Sequence, residues 1–140
     1  MSVRQLSIFL ENSSGRIAEV TKILAKAQID ISALVLSDTT DFGVLRLIVN
    51  DIEKAYNVLN ENQFIVRQSD VVIVPISHDT GSLAKVVEVL AGACITIEYM
   101  YAFFGKDSGE AFAVFKMEDL DQAKEVLGKN NIRRLCENEL

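Results

Sequence analysis

Two short runs in this chain have the residue types and spacing to hold an anion. Asn12-Ser13-Ser14-Gly15-Arg16-Ile17 and, sixty-six residues on, His78-Asp79-Thr80-Gly81-Ser82-Leu83 are small, polar and centred on glycine. Each stands between an alternating apolar segment and a segment of helical period. A helix that starts at such a glycine aims several unpaired N–H groups, and a partial positive charge, back toward the strand it came from. That geometry holds a carboxylate or phosphate with no arginine. The same residues also suit a plainer role, because Ser13 or Ser14, and Asp79 or Thr80, are good helix N-caps.

Bond-making chemistry is harder to assemble. His78 is the only histidine, so no Ser/His/Asp set can be built, and a single histidine argues against a zinc cage. Acyl-phosphate hydrolysis would need an arginine inside a phosphate cradle, whereas Arg16 follows the glycine and no fitting second motif exists. The expectation is a chain with no catalytic residue, no metal and no cofactor.

The elements that position the two runs are written twice. Leu6, Ile8 and Leu10 alternate as a half-buried strand does, and Val72, Val74 and Ile76 repeat them. Ile17, Val20, Ile23, Leu24 and Ala27 recur at helical spacing and are answered by Leu83, Val86, Val89, Leu90 and Ala93. Extended segments follow at 29–35 and 95–101, then strands at 44–49 and 111–117, with a hairpin two residues longer in the second copy. Second helices carry Ile52, Ala55, Val58 and Leu59, matched by Leu120, Ala123, Val126 and Leu127, with Asp51 and Asp119 at their N-caps. Short last strands are expected over 64–67 and 132–136. Each copy reads strand, helix, strand, strand, helix, strand, which predicts an α+β protein of two ferredoxin-like βαββαβ domains, residues 1–69 and 70–140.

Composition narrows the partners. A net charge of -6 with scattered Lys and Arg repels a nucleic-acid backbone, and no apolar run approaches the roughly 20 residues that span a bilayer. With no signal-peptide core after Met1, the expectation is a cytoplasmic protein. Cys94 and Cys136 stand in no metal or redox spacing and read as buried or partly buried thiols. With the helices on one sheet face, the other is left to Phe9, Val44, Ile48, Ile73, Phe112 and Val114. Cover by a second copy of the chain, in a homodimer through the open sheet faces, is the simplest remedy for so large an apolar area.

The duplicated unit, with Leu6-Ser7-Ile8-Phe9-Leu10-Glu11-Asn12-Ser13-Ser14-Gly15-Arg16-Ile17 at its head and Ala27-Gln28-Ile29-Asp30-Ile31 entering the second strand, resembles the ACT domain family over the whole chain. The resemblance implies a regulatory sensor whose ligand, usually a free amino acid, lies at the seam of two such domains. Carried over by position, one site would take Asn12, Ser13, Ser14, Gly15, Arg16 and Ile17 with Thr96 and Ile97. The reciprocal site would take His78, Asp79, Thr80, Gly81, Ser82 and Leu83 with Asp30 and Ile31. Ser14 and Thr80 stand where the family often has proline, which adds an N–H donor. His78-Asp79 replaces the usual asparagine and brings a negative charge, so the two sites should differ. A partner enzyme is implied as the target of regulation. The alternative is a regulatory protein-interaction subunit with no ligand of its own; the aromatic cluster Tyr99, Tyr101, Phe103 and Phe104 could give it a partner surface, although core and domain-seam packing is the favoured reading of those residues.

Overall fold

The computed structural model of the chain describes residues 3–11, 13–38, 42–105 and 109–140. Its elements follow the duplicated order. The first copy has β1 (Val3–Glu11), α1 (Arg16–Lys26), β2 (Ile31–Asp38), β3 (Phe42–Val49) and α2 (Ile52–Glu61). The second has α3 (Ser82–Gly92), β5 (Ile97–Phe104), β6 (Ala111–Met117) and α4 (Leu120–Lys129). Between them, β4 (Ile65–Ile76) serves as the last strand of one copy and the first of the next. This is an α+β protein built as a tandem of ferredoxin-like units. The chain forms two compact bodies, Arg4–Ser69 with Leu140 and Asp70–Glu139 with Val3.

In the first body β3 lies between β2 and β1, antiparallel to both, with Leu6 facing Leu47 and Ile8 facing Leu45. One face of that sheet supplies Leu6, Ile8, Leu10, Leu45 and Leu47 to a core closed by Val20, Leu24, Ala55 and Leu59 from the two helices. The second body repeats the plan, with β6 between β5 and β4 and with Val72, Val74, Ala113, Phe115 and Met117 packed under Val86, Leu90, Ala123 and Leu127. Burying a single such aliphatic side chain contributes about 1.5–3 kcal/mol, so these alternating residues dictate which way each sheet faces.

Helix ends explain where the strands begin. Gln28, Gln63, Cys94 and Asn131 all adopt positive φ just past their helices. The amides of Ile29 and Ile95 donate to the Leu24 and Leu90 carbonyls at 2.9 and 3.1 Å, closing the stop while both isoleucines tuck into the cores. They belong to the helix stop, so β2 and β5 start two residues later than their apolar runs suggest. Asp51 and Asp119 are N-caps as expected, their carboxylates accepting from the Lys54 and Gln122 amides at 3.1 Å.

Four expectations need correction. The strand over 64–67 does not stop at the end of the first copy but runs on through β4. The segment 132–136 is not a strand. The Leu135 amide donates to the Ile73 carbonyl at 2.9 Å, but the Cys136 amide is diverted to the Glu139 carboxylate at 2.6 Å, and that carboxylate also pairs with Arg133. Cys94 and Cys136 are free thiols but exposed, the first because it occupies a helix-stop position. Of the six open-face residues, Ile48, Ile73 and Val114 are fully buried in the single chain, which leaves only Phe9, Val44 and Phe112 partly open.

Candidate functional site

The two glycine hinges share one backbone conformation. Gly15 and Gly81 are the N-cap residues of α1 and α3, both at φ 89° with ψ near zero, and neither helix has a side-chain cap. Positive φ at this point favours glycine, and no described atom lies within 4 Å of where a Cβ would stand on either residue. The capping role open to Ser13, Ser14, Asp79 and Thr80 in the sequence is therefore not taken up by their side chains. Each glycine carbonyl accepts the first helical bond, from Glu19 and from Lys85, at 3.0 Å.

The amides differ at one position: the Ser82 amide is taken up by the Asp79 carbonyl, whereas the Arg16 amide has no partner among the described residues, and Thr80, Gly81, Leu83 and Ala84 are as open as their counterparts in the first hinge. In the first hinge the Ser13 amide donates to the Glu11 carbonyl at 2.8 Å, and from Ser14 through Ala18 no backbone N–H has a partner among the described residues. Ser13, Ser14 and Gly15 are exposed, and Ile17 is 39% exposed. Arg16 does not reach over this row. Its guanidinium pairs with Glu19 at 2.8 Å and lies 4.7 Å above the Phe64 ring, along the helix. Asn12 lies outside the described residues.

The second hinge is knotted to itself. The Ser77 amide donates to Ser82 Oγ at 3.1 Å, the Asp79 amide to Ser77 Oγ at 3.4 Å, and the Ser82 amide to the Asp79 carbonyl at 3.1 Å. The Asp79 carboxylate sits against Ser77 Oγ at 3.5 Å, which brings negative charge beside the helix start. His78, Thr80 and Leu83 are exposed. Ser77 was not among the residues singled out from sequence. A serine five positions before another gives no periodic signal, and only the turn geometry makes it a clasp.

Asp30 and Ile31 lie where β2 begins, Thr96 and Ile97 where β5 begins. Asp30 exchanges two bonds with Asn50, its amide to the Asn50 side chain at 3.0 Å and its carbonyl from the Asn50 amide at 3.2 Å. The Thr96 carbonyl accepts from the Glu118 amide at 3.3 Å. Within one unit these positions lie past the far end of an 11-residue helix, about 16 Å from its hinge, so hinge and strand start do not converge in the same unit.

A family model, the ACT domain pair, matches residues 1–140. The chain belongs to the ACT domain pair family. It is 44% identical to protein BT0572 from Bacteroides thetaiotaomicron, whose crystal structure superposes with a TM-score of 0.90 over 96% of this chain and 92% of that one. The regulatory subunits of aspartate kinase from Thermus thermophilus, in a ligand-free form, and from Thermus flavus share the fold. Their TM-scores are 0.63 and 0.61, at 14% and 16% identity. Coverage is 92% of this chain and 93% of the former, and 91% and 89% for the latter. A comparison with curated proteins returns no match. Among the described residues no helix is long and apolar enough to cross a membrane, and no cluster of His, Cys, Asp or Glu has the makings of a metal site.

Proposed function

We propose that this ACT pair is a non-catalytic, cytoplasmic regulatory protein that senses a free amino acid at its first hinge and passes the signal to a partner enzyme. The observation that carries the proposal is the row of unpartnered, exposed amides from Ser14 to Ala18 at the start of α1. Amides at a helix start suit a carboxylate, each charge-assisted bond contributing about 1.5–3 kcal/mol. The ligand carboxylate is assigned to the amides of Ser14, Gly15, Arg16 and Ile17, and the ammonium to Asn12 and nearby carbonyls.

The second hinge is the weaker receptor. The Ser77 and Ser82 hydroxyls and the Asp79 carbonyl take up three of its amide donors, those of Asp79, Ser77 and Ser82, and the Asp79 carboxylate repels an anion. One ligand per chain is the expected stoichiometry. Calorimetric titration with the twenty amino acids tests this. The proposal expects at least one to bind with one site per chain; silence from all of them at millimolar concentration refutes it and favours a subunit that binds protein partners alone. That second reading draws on the exposed Leu34, Leu36, Phe42 and Phe104. A homodimer through the open sheet faces also remains part of the proposal, now resting on Phe9, Val44 and Phe112.

A further inference from the structure

Between α1 and α2 of the first unit runs an open groove of about 640 Å³, within the size range of small-molecule sites. Ile23 and Ala27 line it from α1, Val58 from α2 and Phe64 from the turn that follows α2. Its rim on α1 is cationic. Lys22 and Lys26, one turn apart, are exposed and have no ion-pair partner among the described residues, while the Glu19 charge is already neutralised by Arg16 at 2.8 Å. On the other side Asn62 donates its side-chain amide to the Val58 carbonyl at 2.7 Å.

The second unit separates what the fold requires from what it does not. Its α3/α4 pair keeps the apolar set, with Val89, Ala93, Val126 and Ile132 at the matching positions. It keeps the asparagine too, since Asn130 donates to the Val126 carbonyl at 2.9 Å as Asn62 does to Val58. The charges are not kept. Lys85, Glu88 and Gly92 stand where the first unit has Glu19, Lys22 and Lys26. The same framework therefore folds without a lysine pair, and packing does not account for Lys22 and Lys26.

Spacing limits the occupant. From Glu19 to Ala27 helix α1 advances about 12 Å, little more than two turns, which is short for a docked helix. Side chains one turn apart have Cβ atoms about 5–6 Å from each other, so the ammonium groups at 22 and 26 can close on a single anionic head. Beside them lies an apolar strip for a tail. We propose that the α1/α2 groove binds a free medium-chain fatty carboxylate, its head held by Lys22 and Lys26 and its tail laid over Ile23, Ala27, Val58 and Phe64. This site is separate from the first hinge and does not rest on amino-acid sensing.

Calorimetric titration of the intact chain with acetate, octanoate, decanoate and decyltrimethylammonium tests it, on the native protein and on Lys22→Glu/Lys26→Gln. Decanoate is expected to bind at one site per chain with submillimolar Kd, and octanoate about fourfold more weakly, because each half-buried methylene changes Kd about twofold. Acetate and the cationic amphiphile should not bind. The double variant should weaken decanoate binding at least about tenfold, through two lost ion pairs and one new repulsion. Both lysines are exposed, so melting curves should show the variant folded; if they do not, Lys26→Gln alone, with an expected loss of about threefold, carries the comparison. No decanoate binding at millimolar concentration overturns the inference. So does equal binding of decyltrimethylammonium, which marks unselective apolar adsorption, and so does an unchanged decanoate affinity in the charge variants, which places the head elsewhere, the hinge amides included.

Discussion

Replacing Gly15 or Gly81 by alanine separates ligand binding from backbone strain. Both glycines sit at φ 89°, and at both a new methyl group meets no described atom within 4 Å. An L-residue in this region costs about 1–2 kcal/mol, so the two variants should lose the same stability and melt several degrees below the native chain. Affinity should not follow. At Gly15 the methyl enters open space at the hinge that is assigned the carboxylate and is expected to crowd the ligand out of one charge-assisted bond, a loss of about 1.5–3 kcal/mol or roughly ten- to a hundredfold in Kd. At Gly81 the hinge is already clasped by Ser77, Ser82 and the Asp79 carbonyl, so Kd for the bound amino acid should stay within about twofold of native. Calorimetry on the three proteins, with melting curves as the strain control, makes the comparison. Equal losses of affinity in both variants, or none in Gly15→Ala, would refute the assignment of the ligand to the first hinge.

Asp51→Ala and Asp119→Ala each remove a carboxylate that accepts a helix amide at 3.1 Å, and urea titration should register about 1 kcal/mol of lost stability for each. Gln28→Gly and Cys94→Gly relieve positive φ at helix stops and should each raise stability by about 1 kcal/mol in the same assay. The Cys136 amide and the Arg133 guanidinium hold the Glu139 carboxyl below its ordinary value of 4.5. A carboxyl lowered on folding stabilises above its unfolded pKa and loses that contribution as pH falls through the folded value. Protection of the Cys136 amide, measured against an unstructured amide at the same pH, should therefore fall once the Glu139 carboxyl is protonated at acid pH, and Glu139→Ala should lower it already at neutral pH.

The fold was legible because the pattern is redundant. Leu6, Ile8 and Leu10 announce a half-buried strand alone, and Val72, Val74 and Ile76 announce it again in phase, so a chance match in one copy is checked by the other. Asp51 and Asp119 were readable as caps for the same reason. The strand starts were not, since Ile29 and Ile95 are equally apolar in a strand or in a helix stop, and only the positive φ of Gln28 and Cys94 decides between them. The end of the second copy misled because 132–136 has strand-like residues while a charged contact three residues further on, Glu139 to the Cys136 amide, withdraws a donor from the ladder.

At the hinges the glycines and their flanks were visible, and Asp79 marked the second as the one with a negative charge. The hydrogen bonds that tie the second hinge to itself were not visible. Whether an amide is free depends on distances between residues such as Ser77 and Ser82 that carry no periodic signature. Arg16 illustrates the same limit: its position in sequence permits a reach toward a carboxylate, but Glu19 and the Phe64 ring draw it along the helix instead. Ile17 and Leu83 fit the core period of their helices and are nonetheless about 40% exposed, because each lies in the first turn beside an open hinge.

The central claim is that bare peptide amides at the start of α1 receive the carboxylate of an amino acid. Amide-resolved NMR of the uniformly labelled chain, titrated with the amino acid that calorimetry identifies, tests it most directly. The account predicts that the resonances of Ser14 through Ala18 move first and furthest, with those of Ser82 through Ala84 nearly still. Saturable shifts that leave Ser14 through Ala18 in place would contradict it.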